Sequence, residues 1–142
     1  MNKELLWKLS VNNVIESNYL AKTRLFQIET PYILNMEGEL GAGKTFFCKC
    51  VARIHGVNDI TSNSFLKYTA SKGKKKILHI DFYNISDPLE FFYDHIDELI
   101  DNDSIVLSEW FPHNLVLEIP QFVLQIEIVK NCERNISFFK VR

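Results

Sequence analysis

The chain has 142 residues, enough for one domain with a core of its own, since a domain of this size buries roughly 70% of the surface its unfolded chain exposes. Apolar residues make up 46% and charged residues 24%, the balance of an ordinary globular protein, which excludes a disordered or a membrane one. A formal net charge of −2 excludes a general electrostatic pull toward nucleic acid, so any RNA role requires protein partners.

Charges at Lys3, Glu4 and Lys8 interrupt the N-terminus, and nowhere do about 18 apolar residues run together. The expectation is a cytoplasmic protein without a membrane segment. Cys48, Cys50 and Cys132 leave an odd thiol, and Cys48 and Cys50 diverge on a helix, so all three are expected as buried reduced thiols.

In chain order, Glu4–Leu9 reads as a short edge strand, and Ser10 as the cap of a helix through about Phe26. Tyr32–Met36 is a short apolar run bounded by Pro31 and Gly38, the pattern of a buried strand. From Lys44 onward, Phe47, Val51 and Ile54 recur at helical spacing until Gly56 stops the helix.

Phe65–Ala70 and Lys76–Phe82 flank the polar turn Ser71–Lys75 and read as a hairpin, the lysines at 72 and 74–76 forming a solvated tip or, as the other reading, a contact for RNA or a partner. Asp87-Pro88 opens a helix carrying Leu89, Phe92, Ile96 and Leu99. A second buried strand, Ser104–Ser108, ends in Glu109, and Phe122–Val129 and Ile136–Val141 close the chain as a hairpin around residues 131–134. The expected fold is α/β: one three-layer phosphate-loop NTPase domain, its mixed sheet parallel at the centre with antiparallel hairpin edges.

Residues 38–45 spell Gly-Glu-Leu-Gly-Ala-Gly-Lys-Thr, a match to G-x-x-x-x-G-K-[ST] between a strand and a helix. Gly38, Gly41 and Gly43 permit backbone turns closed to other residues, so the N–H groups around Ala42 can face phosphate oxygens at a helix N-terminus. Lys44 reaches the β- and γ-phosphates, and the Thr45 hydroxyl enters a magnesium shell. The nucleotide-contacting set extends to Phe46, with Trp110 at the rim or packed against the core.

Magnesium also needs a carboxylate from a neighbouring strand. Asp81 and Glu109 both stand where buried strands end. Glu109, after the more uniformly apolar run, is assigned to magnesium, and Asp81 to orienting or deprotonating the attacking water; spacing alone allows the two roles to be exchanged. His79 reads as a core histidine.

Five segments in order resemble the TsaE family, the ATPase component of bacterial tRNA threonylcarbamoyladenosine synthesis: residues 38–45, Ile60–Phe65, His79–Tyr83, Asp87-Pro88 and Glu109-Trp110. The resemblance covers roughly residues 10–130. It implies a compact ATPase using ATP and Mg2+, docked on a TsaB–TsaD complex that itself handles the tRNA. It also implies that Thr45 and Glu109 serve magnesium, that Asp81 serves catalysis, and that Thr61, Ser62 and Ser64 belong to a switch segment sensing the γ-phosphate.

The sequence departs from the family pattern at Phe46, at Asn63 in place of a proline, at Asn84 in place of an arginine, at His95 in place of a glycine, and at Phe111-Pro112. Losing a guanidinium near Asp81 and a proline from the switch predicts slow turnover without partners. Two other readings share the loop: a nucleotide-gated assembly subunit without useful hydrolysis, and a small-molecule phosphotransferase.

Overall fold

The computed structural model describes residues 2–60, 67–112 and 115–141. Strand β1 (Lys3–Val11) buries Val11 and half-buries Trp7 and Leu9 on one face while Lys8 and Ser10 point outward, the period-2 alternation of an edge strand. Ser10 therefore lies inside the strand and does not cap the helix. Asn13 does: its extended backbone lets the side chain accept from the Glu16 N–H at 2.9 Å, while the Glu16 carboxylate accepts from the Asn12 N–H at 2.8 Å. Helix α1 (Val14–Leu20) then widens into a π-helical turn over Ala21–Leu25.

Strand β2 (Tyr32–Glu37) is buried through Met36 and leads into the glycine loop, after which helix α2 (Lys44–Ile54) returns across the sheet. Gly56, at φ +88°, stops it as expected. Strands β3 (Tyr68–Lys72) and β4 (Lys76–Asp81) form the expected hairpin, paired two residues beyond Ala70, with Phe65 outside the described residues.

The lysine-bearing tip of this hairpin is docked rather than free. The Lys74 N–H donates to the His55 carbonyl at the end of α2 at 2.7 Å, and Lys75 reaches Asp103 at 3.4 Å. The Lys76 amine donates to the Leu99 carbonyl. A Cβ at Gly73 would stand 2.5 Å from the His55 carbonyl oxygen and 2.6 Å from the Gly56 carbonyl carbon. Gly73→Ala is thus expected to lift the tip off the helix end at a cost of about 1–3 kcal/mol, the range of an overpacked contact. A lowered urea midpoint with an unchanged slope would show it.

Asp87 caps helix α3 (Pro88–Phe91) by accepting from the Glu90 N–H at 3.1 Å, and the helix runs on as a π-helical turn over Phe92–Ile96 and a 3-10 turn over Asp97–Leu99. Of the expected apolar positions, Phe92 and Ile96 are buried while Leu89 is half exposed.

Strand β5 (Ser104–Glu109) is buried along its whole length, and β6 (Gln121–Lys130) and β7 (Glu133–Val141) pair as a hairpin. Its turn is shorter than expected, because Glu133 and Arg134 already belong to β7.

Among the described residues the strands form one seven-stranded mixed sheet in the order β1-β7-β6-β2-β5-β4-β3. The four central strands β6, β2, β5 and β4 are parallel, and the antiparallel pairings lie at the two sides. Alternation along β2 sends Tyr32, Leu34 and Met36 to the face covered by α1 and α2, and Ile33 to the face where Phe92 and Ile96 pack. Parallel strands buried on both faces read as unbroken apolar runs, which is why β2 and β5 stand out in the sequence. Among the described residues no helix is long and apolar enough to cross a membrane.

Candidate functional site

The parallel arrangement brings the carboxyl ends of β2, β4 and β5 to one edge of the sheet, where open α/β sheets form their ligand crevice. There the chain leaves β2 through Gly38. A Cβ at this position would lie 2.6 Å from the Ile126 carbonyl oxygen and 3.0 Å from the Ala42 Cβ, so only glycine lets the loop turn this close to β6. Gly41 and Gly43 adopt φ of +83° and +112°. Gly43 stands at the N-cap of α2 with no side chain to bond the first turn, whose free N–H groups thus face outward from the helix end.

The loop is braced from behind by Arg134 of β7, whose Nε–H donates to the Ala42 carbonyl at 3.0 Å. Its other guanidinium bonds go to the Asn131 and Glu133 carbonyls, at 2.6 and 3.0 Å. The sequence signals nothing of this contact between residues 92 positions apart.

Lys44 is 94% buried, a rare state for an ammonium group. Its Nζ donates to the Gly38 carbonyl at 2.7 Å and the Glu39 carbonyl at 3.0 Å, and lies 4.4 Å from the centre of the Trp110 ring. Trp110 itself sits at φ +58°, a left-handed conformation costing about 1–3 kcal/mol for such a residue. It rims a cleft of about 430 Å³ lined also by Met36, Glu37, Gly38, Lys44, Phe111 and Pro112. Tyr83 lies beside it, ring centres 5.2 Å apart.

Thr45 and Glu109 meet directly: the Thr45 hydroxyl donates to Glu109 Oε1 at 2.8 Å. The second carboxylate oxygen, Oε2, lies 2.8 Å from His79 Nε2, with both side chains buried. An ionised carboxylate only accepts, so Nε2–H is the donor here. Burial pushes the Glu109 carboxyl up, but the hydrogen bonds from His79 and Thr45, with the charges of His79 and Lys44, outweigh it and hold Glu109 below its ordinary value. His79 is thus buried as expected, yet spends its ring nitrogen on the site's carboxylate. Its place two residues before Asp81 is the signal that would have pointed there.

Asp81 stands across from Glu109 in the β4–β5 register, exposed, its Oδ1 accepting from the Tyr83 N–H at 3.0 Å. The Phe46 ring does not line the cleft. It packs against the core, 5.7 Å from the ring of Phe47. The expected switch residues Thr61, Ser62 and Ser64 lie outside the described residues. Of the cysteines, Cys48 and Cys50 are buried, whereas Cys132 is exposed because it falls in the β6–β7 turn, a correction to the expectation of three buried thiols.

A glycine loop opening on a helix N-terminus, a lysine at its mouth and a hydroxyl–carboxylate pair beside it have the chemistry suited to a polyphosphate and an oxygen-seeking divalent cation. Comparison with known proteins places the chain in a family. The family model described as "Threonylcarbamoyl adenosine biosynthesis protein TsaE" matches residues 11–136. The protein named "tRNA threonylcarbamoyladenosine biosynthesis protein TsaE" from Bacillus subtilis (strain 168) is 32% identical, over 98% of this chain and 87% of its own length. Its namesake from Rickettsia prowazekii (strain Madrid E) is 30% identical, over 92% and 93%. The crystal structure of YdiB from Bacillus subtilis superposes with a TM-score of 0.69 at 25% identity, covering 100% of this chain and 89% of that one. The chain belongs to the TsaE family.

Proposed function

We propose that this chain is a P-loop ATPase of the cytoplasm that binds ATP with Mg2+, hydrolyses it slowly when alone, and associates with a TsaB–TsaD complex to support threonylcarbamoyladenosine modification of tRNA. The tRNA is handled by that complex. The observation that carries the reading is the Thr45–Glu109 contact at the foot of a glycine loop whose lysine amine is held ready by two loop carbonyls.

The donor set fits magnesium: a hydroxyl and a carboxylate, both oxygen, with the carboxylate kept ionised. Thr45 and Glu109 would hold the ion, which when bound neutralises charge on the β- and γ-phosphates. Lys44 exchanges the Gly38 and Glu39 carbonyls for phosphate oxygens. The N–H groups of residues 41–45, together with the N-terminal end of α2, take the remaining phosphate charge. His79 fixes the plane of the Glu109 carboxylate, and Arg134 fixes the loop peptide after Ala42. Asp81, exposed at the next strand end, orients or deprotonates the attacking water.

A second reading, a nucleotide-gated assembly subunit without useful hydrolysis, is favoured by one feature: the Asp81 carboxylate is engaged by its own Tyr83 N–H, outside the Thr45–Glu109–His79 unit. Single-turnover hydrolysis by the intact chain and by Asp81→Ala separates the two, because equal inertness of both with ATP bound selects the assembly subunit.

Calorimetric titration with ATP, with and without Mg2+, tests the central claim. Binding that needs or is strengthened by Mg2+ is expected, with a change in Trp110 fluorescence as the Lys44 amine leaves the ring. The Trp110→Phe variant, retaining only Trp7, should lose that signal. Absence of ATP binding in the presence of Mg2+ overturns the proposal.

A further inference from the structure

Directly beneath the phosphate loop, side chains from three elements bring metal-ligating atoms together: Cys48 of α2, His79 of β4 and Glu109 of β5, all within 4.8 Å of one another. All three are buried, Cys48 fully. Magnesium explains the Thr45–Glu109 end of this cluster but not the sulfur and nitrogen behind it, because a hard cation takes oxygen ligands. Thiolate and imidazole together select softer ions of the zinc class.

The dimensions suit such an ion. Zinc lies about 2.3 Å from sulfur and about 2.0–2.2 Å from nitrogen and oxygen, so three ligands around one tetrahedral centre stand roughly 3.3–3.7 Å apart. The cluster reaches that spacing if the 2.8 Å His79–Glu109 contact opens slightly and Cys48 turns toward it. The Glu109 and Asp81 carboxylates place negative charge near the Cys48 sulfur, which favours a cation there.

We propose that Cys48, His79 and Glu109 form a binding site for a zinc-class cation, and that its occupation excludes magnesium because both ions need the Glu109 carboxylate. As the metal–sulfur bond forms, the Cys48 Sγ–H proton and the Nε2 proton of His79 pass to solvent, leaving a neutral imidazole with its remaining proton on Nδ1. Only the inhibitory consequence rests on the ATPase reading; the site itself does not.

The test starts from a Cys132→Ser parent, which lacks the exposed thiol, and uses Co2+ as the probe without nucleotide. One equivalent is expected to give a thiolate-to-cobalt charge-transfer band in the near ultraviolet, and zinc to displace it. Cys48→Ser should abolish the band and raise the zinc concentration for half-saturation by at least about 100-fold, while Cys50→Ser changes neither. X-ray absorption of the Cys132→Ser parent loaded with one zinc provides a readout independent of any buried substitution: one sulfur together with nitrogen or oxygen neighbours is expected.

A parent without the band, a band that survives Cys48→Ser, or zinc with only nitrogen and oxygen neighbours overturns the proposal. In hydrolysis assays zinc should inhibit, with a higher inhibition constant in Cys48→Ser. A cobalt band in a chain that binds no ATP leaves the site standing and removes the ATPase reading. ATP binding without the band does the reverse.

Discussion

Lys44→Ala is expected to abolish measurable ATP binding while leaving the chain folded. In the structure the Lys44 amine sits where a phosphate-facing charge belongs, bonded to the Gly38 and Glu39 carbonyls and covered by the Trp110 ring. Each charge-assisted hydrogen bond contributes about 1.5–3 kcal/mol, so losing a lysine that serves two phosphates weakens binding by at least about 100-fold. Lys44→Arg should not restore it, because a planar fork cannot replace a compact point charge between two loop carbonyls and an indole.

Thermal melting separates a lost site from a lost fold. In the unsubstituted chain, ATP at about 100 times its dissociation constant is expected to stabilise the folded state by about 2.7 kcal/mol, raising the melting temperature. Lys44→Ala should melt cooperatively and show no ATP-dependent rise. A variant that still gains stability from ATP would show that the loop grips the nucleotide without its lysine, which contradicts the mechanism.

The loop and the strands beside it are legible in the sequence because their constraints are local. An unbroken apolar run such as Ile105-Val106-Leu107 needs burial on both faces, and a glycine at φ +83° or +112° leaves its mark as Gly41 and Gly43. The position of Glu109 next to the loop strand is likewise inferable, since the central strand is the more apolar one, and the register pairs Met36 with Glu109.

What sequence does not carry is the pairing of distant residues. Arg134 reads as part of a polar turn, yet two further residues of strand pairing place it behind Ala42. The β3–β4 tip reads as free until the Lys74 backbone N–H is found closing the end of α2, although the Lys72 and Lys74 side chains are exposed as expected. Cys48 and His79 each pass as ordinary core residues, and only the crossing of α2 over β4 and β5 brings them to Glu109. Ser10 failed as a helix cap for a local reason: the alternation of Trp7, Leu9 and Val11 continues the strand through it, and Asn13 with Glu16 offers the reciprocal cap three residues later.

The geometry predicts different failures for the two carboxylates, and Glu109→Gln is the sharper case. An amide of the same shape still accepts from Thr45 through its carbonyl oxygen, and its NH2 donates to His79 Nε2 once that ring changes tautomer, so the buried network keeps its partners. What disappears is the charge. Hydrolysis is expected to fall about 10²- to 10³-fold, the range for removing one preorganised electrostatic group, and the Mg2+ concentration for half-saturation is expected to rise with it.

Asp81→Asn should slow hydrolysis while leaving Mg2+ half-saturation close to that of the unsubstituted chain, because Asp81 stands exposed and apart from Thr45. Interchanged behaviour of the two variants would reassign their roles. The acid limb of stability offers an independent check. Glu109 is held below its ordinary value in the folded chain, so its contribution is present above the unfolded value near pH 4.3 and is lost as pH falls through the folded one. Glu109→Gln cannot titrate and should lose less stability over that interval than the unsubstituted chain does; equal losses would mean that Thr45 and His79 do not hold the carboxylate in its ionised form.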